Sequence, residues 1–411
     1  MPEDVPYFIH VEDLARRFAA LYGYQEIRTP TFEDTALFTR GAGQSTDVVE
    51  KEMYSFRDKW NNDVTLRAEG TAPIIRAYLQ HGMHIRPQPV RLFSLINIFR
   101  YDRPQAGRYR EHHQFDCEAI GEEDPALDAE IITLLWRFYE GLGLRDLSMQ
   151  LNSIGDPVCR PQYLEALRAH YEPRADELCG DCRRRLAINP LRLLDCKVPT
   201  CQPIAAAAPN FLEHLCDGCR EHFAQLQSML AAEGIPTVLN PRLVRGFDYY
   251  TRTVFEIWPP EVGAQSAIGG GGRYDGLAEQ LGGRHTPAVG FGTGIERLVL
   301  NLKSQDVAIP SPARPRVYVS HVGPRAQPSA SAFARVLRTR GVSVLRAVGE
   351  RSLRARLRHA DAAGVTWTAI FGDEEVQNGT VSLRDMAAQE PMTLPVAQAI
   401  EQLTAAHERT E

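Results

Sequence analysis

The sequence predicts an α+β domain built on an antiparallel sheet, a helical domain inserted into it, and a C-terminal α/β domain. Residues 1–155 and 234–303 contain many strand-like runs with few helices between them, which favours an α+β fold over a doubly wound one. Residues 156–233 interrupt this pattern with a cysteine-rich, mostly helical stretch. After a Pro/Ser-rich linker at 304–315, residues 316–411 alternate between strand and helix, as βαβ units do.

Composition and charge place the chain among ordinary globular proteins. Its 411 residues are 44% hydrophobic and 24% charged, enough to bury a large core in two or three domains. The net charge of −6 means that nucleic-acid binding requires a local basic patch. We see no signal peptide and no run long enough to span a bilayer, so we expect a cytoplasmic protein without membrane contact. Its eight cysteines are then free thiols or metal ligands.

The first domain is predicted to begin with an amphipathic helix over 9–22, which Gly23 ends. An extended segment is expected at 26–38, and a short strand at 64–67 precedes a helix that is capped by Gly82. Further strands are predicted at 90–100, 113–120, 147–153, 252–258, 265–269 and 288–292, and further helices at 127–141 and 294–302.

The last domain is predicted to hold a small, largely parallel sheet, because strand–helix–strand connections join parallel strands. The predicted strands are 316–320, 342–346, 366–371 and 380–385, and the predicted helices are 328–340 and 352–363. Asn378 and Gly379 indicate a turn before the final strand.

Two arginines accompany otherwise apolar strand-like runs. Arg100 follows Val90–Phe99, and Arg245 lies within Leu243–Glu256. A guanidinium beside a buried strand is unfavourable unless an anion meets it. Carboxylates and tyrosines occur near both arginines, so the pattern predicts a pocket for a ligand that carries phosphate and ammonium groups.

A second polar feature is the run His113–Ile120, which alternates polar and apolar residues. Gln114, Asp116 and Glu118 share one face of the predicted strand. Taken alone, such a strand is more often simply half solvated.

Glu69 and Thr71 lie just before a predicted helix. Thr71 can be explained as the N-cap of this helix as well as by a role in ligand binding, whereas no structural role is evident for Glu69.

Four peptides, in order along the chain, are similar to those of histidyl-tRNA synthetases. Phe99–Gly121 resembles the second sequence motif of class II synthetases, and Ala288–Leu298 the third. Leu243–Glu256 and Ala267–Leu277 resemble two peptides specific to the histidine enzymes. In addition to these four peptides, the region 26–38 resembles the first class II motif, which builds the dimer interface. The resemblance implies a class II catalytic core, a C-terminal anticodon-binding domain, and a homodimer.

The resemblance also implies roles for individual residues in ligating histidine to tRNA. Arg100 and Arg245 would be catalytic and would bind ATP together with Arg297, assisted by Mg²⁺. The residues implied to bind the substrate L-histidine are Glu69, Gly70, Thr71, Gln114, Glu118, Tyr249 and Tyr250. No general base is needed, because the attacking carboxylate of histidine is already ionised.

Binding of tRNA(His) is expected from two basic regions. Between Arg314 and Arg358 there are eleven arginines and one acidic residue, and the resemblance places anticodon recognition there. Within it, Arg351, Arg354 and Arg358 are predicted to share one helix face, although such charge runs are usually just solvated. The basic loop 103–110 is expected to meet the acceptor end, with Arg103 and Gln105 as contacts.

The cysteines of the inserted domain suggest structural zinc. Six cluster as Cys179-x2-Cys182, Cys196-x4-Cys201 and Cys216-x2-Cys219. The simplest tetrahedral site uses the outer pairs, Cys179 and Cys182 with Cys216 and Cys219, and would lie away from the chemistry. Free thiols are the alternative, because the family does not need zinc for catalysis.

Two other functions are compatible with this fold. One is a non-catalytic regulatory subunit of ATP phosphoribosyltransferase, which lacks the anticodon domain, and the other is a synthetase-like sensor attached to a kinase. The intact arginine and Glu/Gln set and the C-terminal domain favour the enzyme. The family's usual opening peptide, Arg/Lys-Gly-Thr-x-Asp, would precede Pro2. We expect its absence to weaken the core and the dimer interface.

Overall fold

The structure is a computed structural model that describes residues 1–41, 43, 46–260, 267–310, 315–349, 351–388 and 390–408. It forms two compact units, Met1–Pro310 and Ser311–Glu411. Parts of two predicted segments, 265–266 of a strand and 311–314 of the linker, lie outside the described residues. Among the described helices, none has both the length and the apolar character that crossing a bilayer requires.

The helices of the first unit are α1 Val5–Leu21, α2 Thr35–Gly41, α3 Thr71–Gln80, α4 Pro125–Gly141, α5 Arg160–Tyr171, α6 Gly180–Ile188, α7 Gln202–Ala206, α8 Asp217–Ala232, α9 Leu277–Gln280 and α10 Ile295–Ser304. Its strands are β1 Gln25–Glu26, β2 Phe32–Asp34, β3 Ser55–Arg57, β4 Asp63–Leu66, β5 Val90–Phe99, β6 Glu111–Ile120, β7 Ser148–Ser153, β8 Thr237–Leu239, β9 Thr251–Trp258, β10 Gly269–Arg273 and β11 Ala288–Gly294.

Eight of these strands form one sheet in the order β1-β5-β6-β11-β10-β9-β7-β8. Its central pairs are antiparallel, and only the edge pairs β1/β5 and β7/β8 are parallel. The predicted antiparallel sheet is therefore confirmed. A separate three-stranded antiparallel sheet has the order β2-β4-β3.

The main core lies on one face of the large sheet, where α1, α4, α8 and α10 contribute apolar side chains. Phe115 of β6 contacts Phe138 of α4 and Phe291 of β11 edge to face, with ring centroids 5.3 and 5.4 Å apart. Because side chains alternate along a strand, the polar residues of β6 point to the opposite face. That face is where the candidate site lies.

Three local predictions for this unit were wrong. Phe38 belongs to α2 instead of an extended segment, because the Asp34 carboxylate accepts the Ala36 N–H at 2.8 Å and starts a helix there. The strand predicted at 265–269 is found at Gly269–Arg273. Arg245 lies in the loop that leads into β9, not in a strand.

The second unit contains a five-stranded sheet in the order β13-β12-β14-β15-β16. Its elements are β12 Val317–His321, α11 Gln327–Thr339, β13 Val344–Arg346, α12 Leu353–Ala362, β14 Trp367–Phe371, α13 Asp373–Asn378, β15 Thr380–Asp385, β16 Pro391–Pro395 and α14 Val396–Glu408. The first three strands are parallel, but β15 and β16 are antiparallel to their neighbours, so the sheet is mixed.

The end of the second unit was incompletely predicted. The peptide Asn378-Gly379 ends helix α13, where Gly379 takes a φ of +63° that suits glycine. Neither β16 nor α14 was expected from the sequence. Arg351 precedes α12, so it does not share a helix face with Arg354 and Arg358.

Candidate active site

A cavity of about 770 Å³ lies on the polar face of the large sheet. The predicted site residues that line it are Glu69, Gly70, Thr71, Arg100, Gln114, Arg245, Tyr249, Tyr250 and Arg297. Glu118 lies just behind this lining, and Arg103 and Gln105 are outside it. Arg100 and Arg245 therefore share one cavity, as expected from the sequence.

Glycines of β11 make room for the polar side chains of β6. In the strand register, Glu118 lies opposite Gly290 and Asp116 opposite Gly292. A Cβ atom added to Gly290 would lie 1.7 Å from a Glu118 carboxylate oxygen, and one added to Gly292 would lie 2.7 Å from Asp116 Oδ1. The bare backbone of β11 is thus what allows these acids to occupy this face of the sheet.

Glu69 and Thr71 exchange the structural roles that the sequence suggested. The buried Glu69 carboxylate accepts the backbone N–H groups of Thr71 and Ala72, both at 2.8 Å, and so caps the N-terminus of α3. The Thr71 hydroxyl is free for another contact and donates to Glu118 at 2.7 Å. Glu69 therefore has the structural role that had seemed to be missing.

Three carboxylates, Glu69, Asp116 and Glu118, are at most 2% exposed around the base of the cavity. Burial raises the pKa of Asp116 to about 7, and the nearby Glu69 adds to the effect. Burial, reinforced by Asp116, also raises the pKa of Glu118 well above its usual range. This concentration of buried acids favours a ligand with positive or N–H groups.

Glu118 and Asp116 are held by hydrogen bonds from neighbouring side chains. Glu118 accepts hydrogen bonds from the hydroxyls of Thr71 and Tyr274. Gln114 donates its side-chain amide to Asp116 at 2.5 Å. Asp116 and Tyr274 were not assigned a role from the sequence, although Asp116 lies on the same strand face as Gln114 and Glu118.

Arg100 and Arg245 are both fixed beside aromatic rings. Arg100 donates its Nε–H to the carbonyl of Ala68 at 2.8 Å, and its guanidinium lies 5.6 Å from the centre of the Phe247 ring. Arg245 donates to the Glu256 carboxylate, and its guanidinium lies 5.7 Å from the Tyr250 ring. The Nε of Arg245 is buried and has no hydrogen-bond partner among the described residues.

Arg297 belongs to a second cationic group within the cavity. It donates to the backbone carbonyls of Gly107 at 3.0 Å and Ala267 at 2.7 Å. Burial lowers its pKa, and repulsion from Arg108 and Arg100 lowers it further. Several guanidiniums held this close together are stabilised by a polyanion such as a triphosphate.

Arg273, in the peptide Gly269–Gly276, has a structural role. Its fully buried guanidinium bonds the carboxylates of Asp128 at 2.7 Å and Asp275 at 2.9 Å, which joins α4 to β10. It does not line the cavity. Part of the peptide that carries the family resemblance therefore supports the fold and lies outside the cavity.

The cysteines do not group as the sequence suggested. Cys179 and Cys182 lie together with Cys196 and Cys201, whereas Cys216 and Cys219 lie together with Asp156 and Cys159. A single site made from the two outer pairs is therefore wrong. Cys196 also lines the cavity, so this region is not remote from it.

Only part of each basic region that is expected to bind RNA lines a cavity or a depression. In the loop 103–110, Gln105 and Arg108 pair through two backbone hydrogen bonds, and only 107–109 reach the cavity wall. In the second unit, Arg354, Arg358 and Arg384 line a shallow depression beside α12.

Comparison with known proteins agrees with this geometry. A family model described as Histidyl-tRNA synthetase matches residues 1–170 and 197–298, and one described as Anticodon binding domain matches residues 316–406. The histidine–tRNA ligase of Dehalococcoides mccartyi (strain 195) is 52% identical over 400 residues, which cover 97% of this chain and 96% of that protein. The one from Caldanaerobacter subterraneus is 44% identical over 390 residues, which cover 95% and 94%.

A solved structure gives the same result in three dimensions. The crystal structure of apo S. aureus histidyl-tRNA synthetase superposes with a TM-score of 0.83 at 34% identity, covering 98% of this chain and 97% of that one. Together, these matches extend over both compact units. This chain belongs to the histidyl-tRNA synthetase family.

Proposed function

We propose that this chain is a class II histidine–tRNA ligase. It activates L-histidine with ATP to form histidyl-adenylate and then transfers the histidine to the 3′ end of tRNA(His). The observation that carries the proposal is that one cavity holds both buried carboxylates and several arginines. The ammonium and imidazole of an amino acid fit the carboxylates, and the phosphates of ATP fit the arginines.

The carboxylate-rich part of the cavity is proposed to bind histidine. Glu69, Thr71 and Gln114 would hold the α-ammonium group, and the Gly70 backbone would lie beside the ligand on the cavity wall. A Cβ atom at Gly70 would lie 2.5 Å from an Asp116 carboxylate oxygen, so a larger residue does not fit there. Glu118 is proposed to accept the imidazole N–H, and its contact with the Thr71 hydroxyl links the two ends of the ligand. Tyr249 and Tyr250 would close the aromatic side of the pocket.

The arginines are proposed to carry the chemistry of activation. The histidine carboxylate attacks the α-phosphorus of ATP, so that a C–O–P bond forms while the bond to pyrophosphate breaks. Two anions approach each other in this step, and charge grows on the phosphoryl oxygens. Arg100 and Arg245 would neutralise that charge from two sides, and Arg297 would bind the outer phosphates.

Mg²⁺ suits the same cavity because carboxylate oxygens of Glu52 and Glu256 line it near Arg100 and Arg245. When bound, the ion would neutralise the departing pyrophosphate. The residues already named would bind and orient both substrates without its help.

Recognition of tRNA is proposed to use both units. Exposed Arg354 and Arg358 of the second unit would contact phosphates in the anticodon region. In the first unit, the exposed Arg103 and Gln105 would contact the acceptor end, while Arg108 faces the cavity from the same loop.

We also propose a homodimer that uses the region of the first class II motif. Phe32 of β2 and Phe56 of β3 are 56% and 49% exposed, and the register places them on the same face of the small sheet. Exposed aromatic side chains that share a face favour a second protein surface. Analytical ultracentrifugation tests the dimer, and a monomer at micromolar concentration would refute it.

We further propose a cytoplasmic location, which is supported by eight cysteines without disulfides.

Pyrophosphate exchange into ATP, dependent on histidine, tests the activity directly. The wild-type chain is expected to exchange, whereas a regulatory subunit or a tRNA sensor of the same fold is not. Arg245→Lys should reduce exchange by at least about 100-fold, because a point charge cannot replace the planar guanidinium between two anions.

Arg91→Lys provides the matched control. Arg91 lies on β5 and pairs with Glu130 at 2.8 and 3.1 Å, outside the cavity. Its replacement should leave exchange within a few-fold of wild type. Equal exchange rates in the two variants would show that Arg245 does not act in adenylate formation.

A further inference from the structure

Seven cysteines and one aspartate form two separate sets of four side chains, and in each set the donor atoms lie close enough together to bind one metal ion. We call these sets tetrads. The knuckle tetrad consists of Cys179, Cys182, Cys196 and Cys201, and the junction tetrad consists of Asp156, Cys159, Cys216 and Cys219. In each, the four donor atoms lie within 4.8 Å of one another. We propose that each tetrad binds one structural zinc ion, giving two per chain.

The knuckle tetrad has the spacing of a tetrahedral thiolate site. Zinc–sulfur bonds of about 2.3 Å place the sulfurs of such a site about 3.8 Å apart, and the Sγ atoms of Cys179 and Cys196 are 3.9 Å apart. Backbone N–H groups also point at the sulfurs: Cys182 donates to Cys179 Sγ at 3.5 Å, and Cys179 donates to Cys201 Sγ at 3.2 Å. Such donors stabilise thiolates.

The junction tetrad has the spacing of a mixed site with three sulfurs and one oxygen. Asp156 Oδ1 lies 3.6 Å from Cys159 Sγ and 4.0 Å from Cys216 Sγ. The corresponding edge of a zinc tetrahedron is about 3.6 Å. Asp156 Oδ1 is oriented by the backbone N–H of Val158 at 2.9 Å. Gly155, with φ of +60°, leaves room for the site, because a Cβ there would lie 2.6 Å from Cys159 Sγ.

Zinc fits these tetrads better than disulfides do. Sulfurs 3.9 Å apart are not bonded, since a disulfide requires about 2.05 Å. Each tetrad supplies four protein ligands with no position left for substrate, which is typical of structural zinc. The family model does not match residues 171–196, which contain three of the four knuckle ligands, Cys179, Cys182 and Cys196.

Each tetrad is connected to the wall of the cavity. Cys196 of the knuckle tetrad lines the cavity close to Arg192, which donates to the backbone carbonyl of Arg245 at 3.1 Å. Next to the junction tetrad, Arg160 donates to the carbonyls of Gly155 at 3.2 Å and Tyr250 at 2.7 Å. The two ions would therefore fix the segments that support these contacts.

Metal analysis of the full chain tests the proposal independently of its catalytic activity. After reconstitution with Zn²⁺ and removal of loosely bound ions, mass spectrometry of the metals should give two zinc ions per chain. Cys196→Ser and Cys159→Ser should each lose one ion. These two variants are decisive, because a single site made from Cys179, Cys182, Cys216 and Cys219 would contain neither residue.

Cys117→Ala is the control, because Cys117 is buried in the sheet core outside both tetrads, and it should keep two ions. Fewer than two zinc ions in the folded wild-type chain, or iron with acid-labile sulfide, would overturn the proposal. If a serine variant fails to fold, Co²⁺ loading of the wild-type chain decides the question. Two equivalents should saturate the thiolate-to-cobalt absorption, and saturation at one equivalent would refute the second site.

Discussion

Asp116→Asn should make the ligand-free protein more stable at alkaline pH. The Asp116 carboxyl is 2% exposed and lies beside Glu69 and Glu118, so its ionised form is unfavourable in the folded state. Asparagine has nearly the same shape, and its side-chain oxygen can still accept the hydrogen bond from Gln114. The Ser94 hydroxyl, which donates to the other Asp116 oxygen at 3.4 Å, can rotate to accept from the asparagine amide, so the substitution mainly removes the charge.

The size of the effect follows from the pKa of Asp116, which burial raises from 3.8 to about 7. Between these values the folded state holds a proton that the unfolded state has lost, so the free energy of unfolding falls as pH rises. Each pKa unit corresponds to about 1.4 kcal/mol, which gives about 4 kcal/mol across the window. Below about pH 4 the carboxyl is protonated in both states and the penalty is absent.

Urea denaturation of both proteins at about pH 5 and about pH 8 measures the difference. The variant should gain about 3 kcal/mol relative to wild type between the two conditions, because about two pKa units of the window lie above pH 5. Asp13→Asn, at a carboxylate that is 72% exposed, is the matched control and should change the difference little. A stability difference between Asp116→Asn and wild type that stays constant with pH would refute the reasoning about the buried acid.

Three further substitutions test other parts of the structure. Arg273→Met leaves buried carboxylates unpaired and should reduce the free energy of unfolding by about 3–5 kcal/mol, measured by urea denaturation; a loss below about 1 kcal/mol would contradict the role of the ion pair. Gly290→Ala drives a Cβ into Glu118 and should lower both melting temperature and histidine affinity, measured by scanning and titration calorimetry. Gly276→Ala is the control, because Gly276 lies outside the cavity and a Cβ there meets only Gln280 Nε2 at 3.9 Å, so both quantities should stay near wild type. Arg354→Ala should weaken tRNA binding and reduce its logarithmic salt slope by about 1 in filter binding, and an unchanged slope would exclude a phosphate contact.

Periodicity was enough to predict most of the large sheet. β5, β6, β7 and β9 were placed within about two residues, because long strands with one apolar face have a strong period of two. The short strand β10 was misplaced, because a run of glycines carries no such pattern. Short elements depend on local capping, as at Asp34, which composition alone does not reveal.

The candidate site was predicted as a set of residues but not as a network. Sequence order could not show that Glu69 caps α3, because that contact depends on how the chain turns after β4. It also could not pair Cys159 with Cys216, which are distant along the chain and meet only after folding. Asp116 could have been included from the strand period, since it shares a face with Gln114 and Glu118.

The pairing of β6 with the glycines of β11 has a consequence for redesigning selectivity. β6 carries the acidic side chains at the base of the pocket, and the glycines of β11 leave the space that these side chains occupy. Enlarging Gly290 without shortening Glu118 creates a collision, so the two positions have to be mutated as a couple. A library that varies both together would reach altered amino-acid preferences that scanning either position singly would miss.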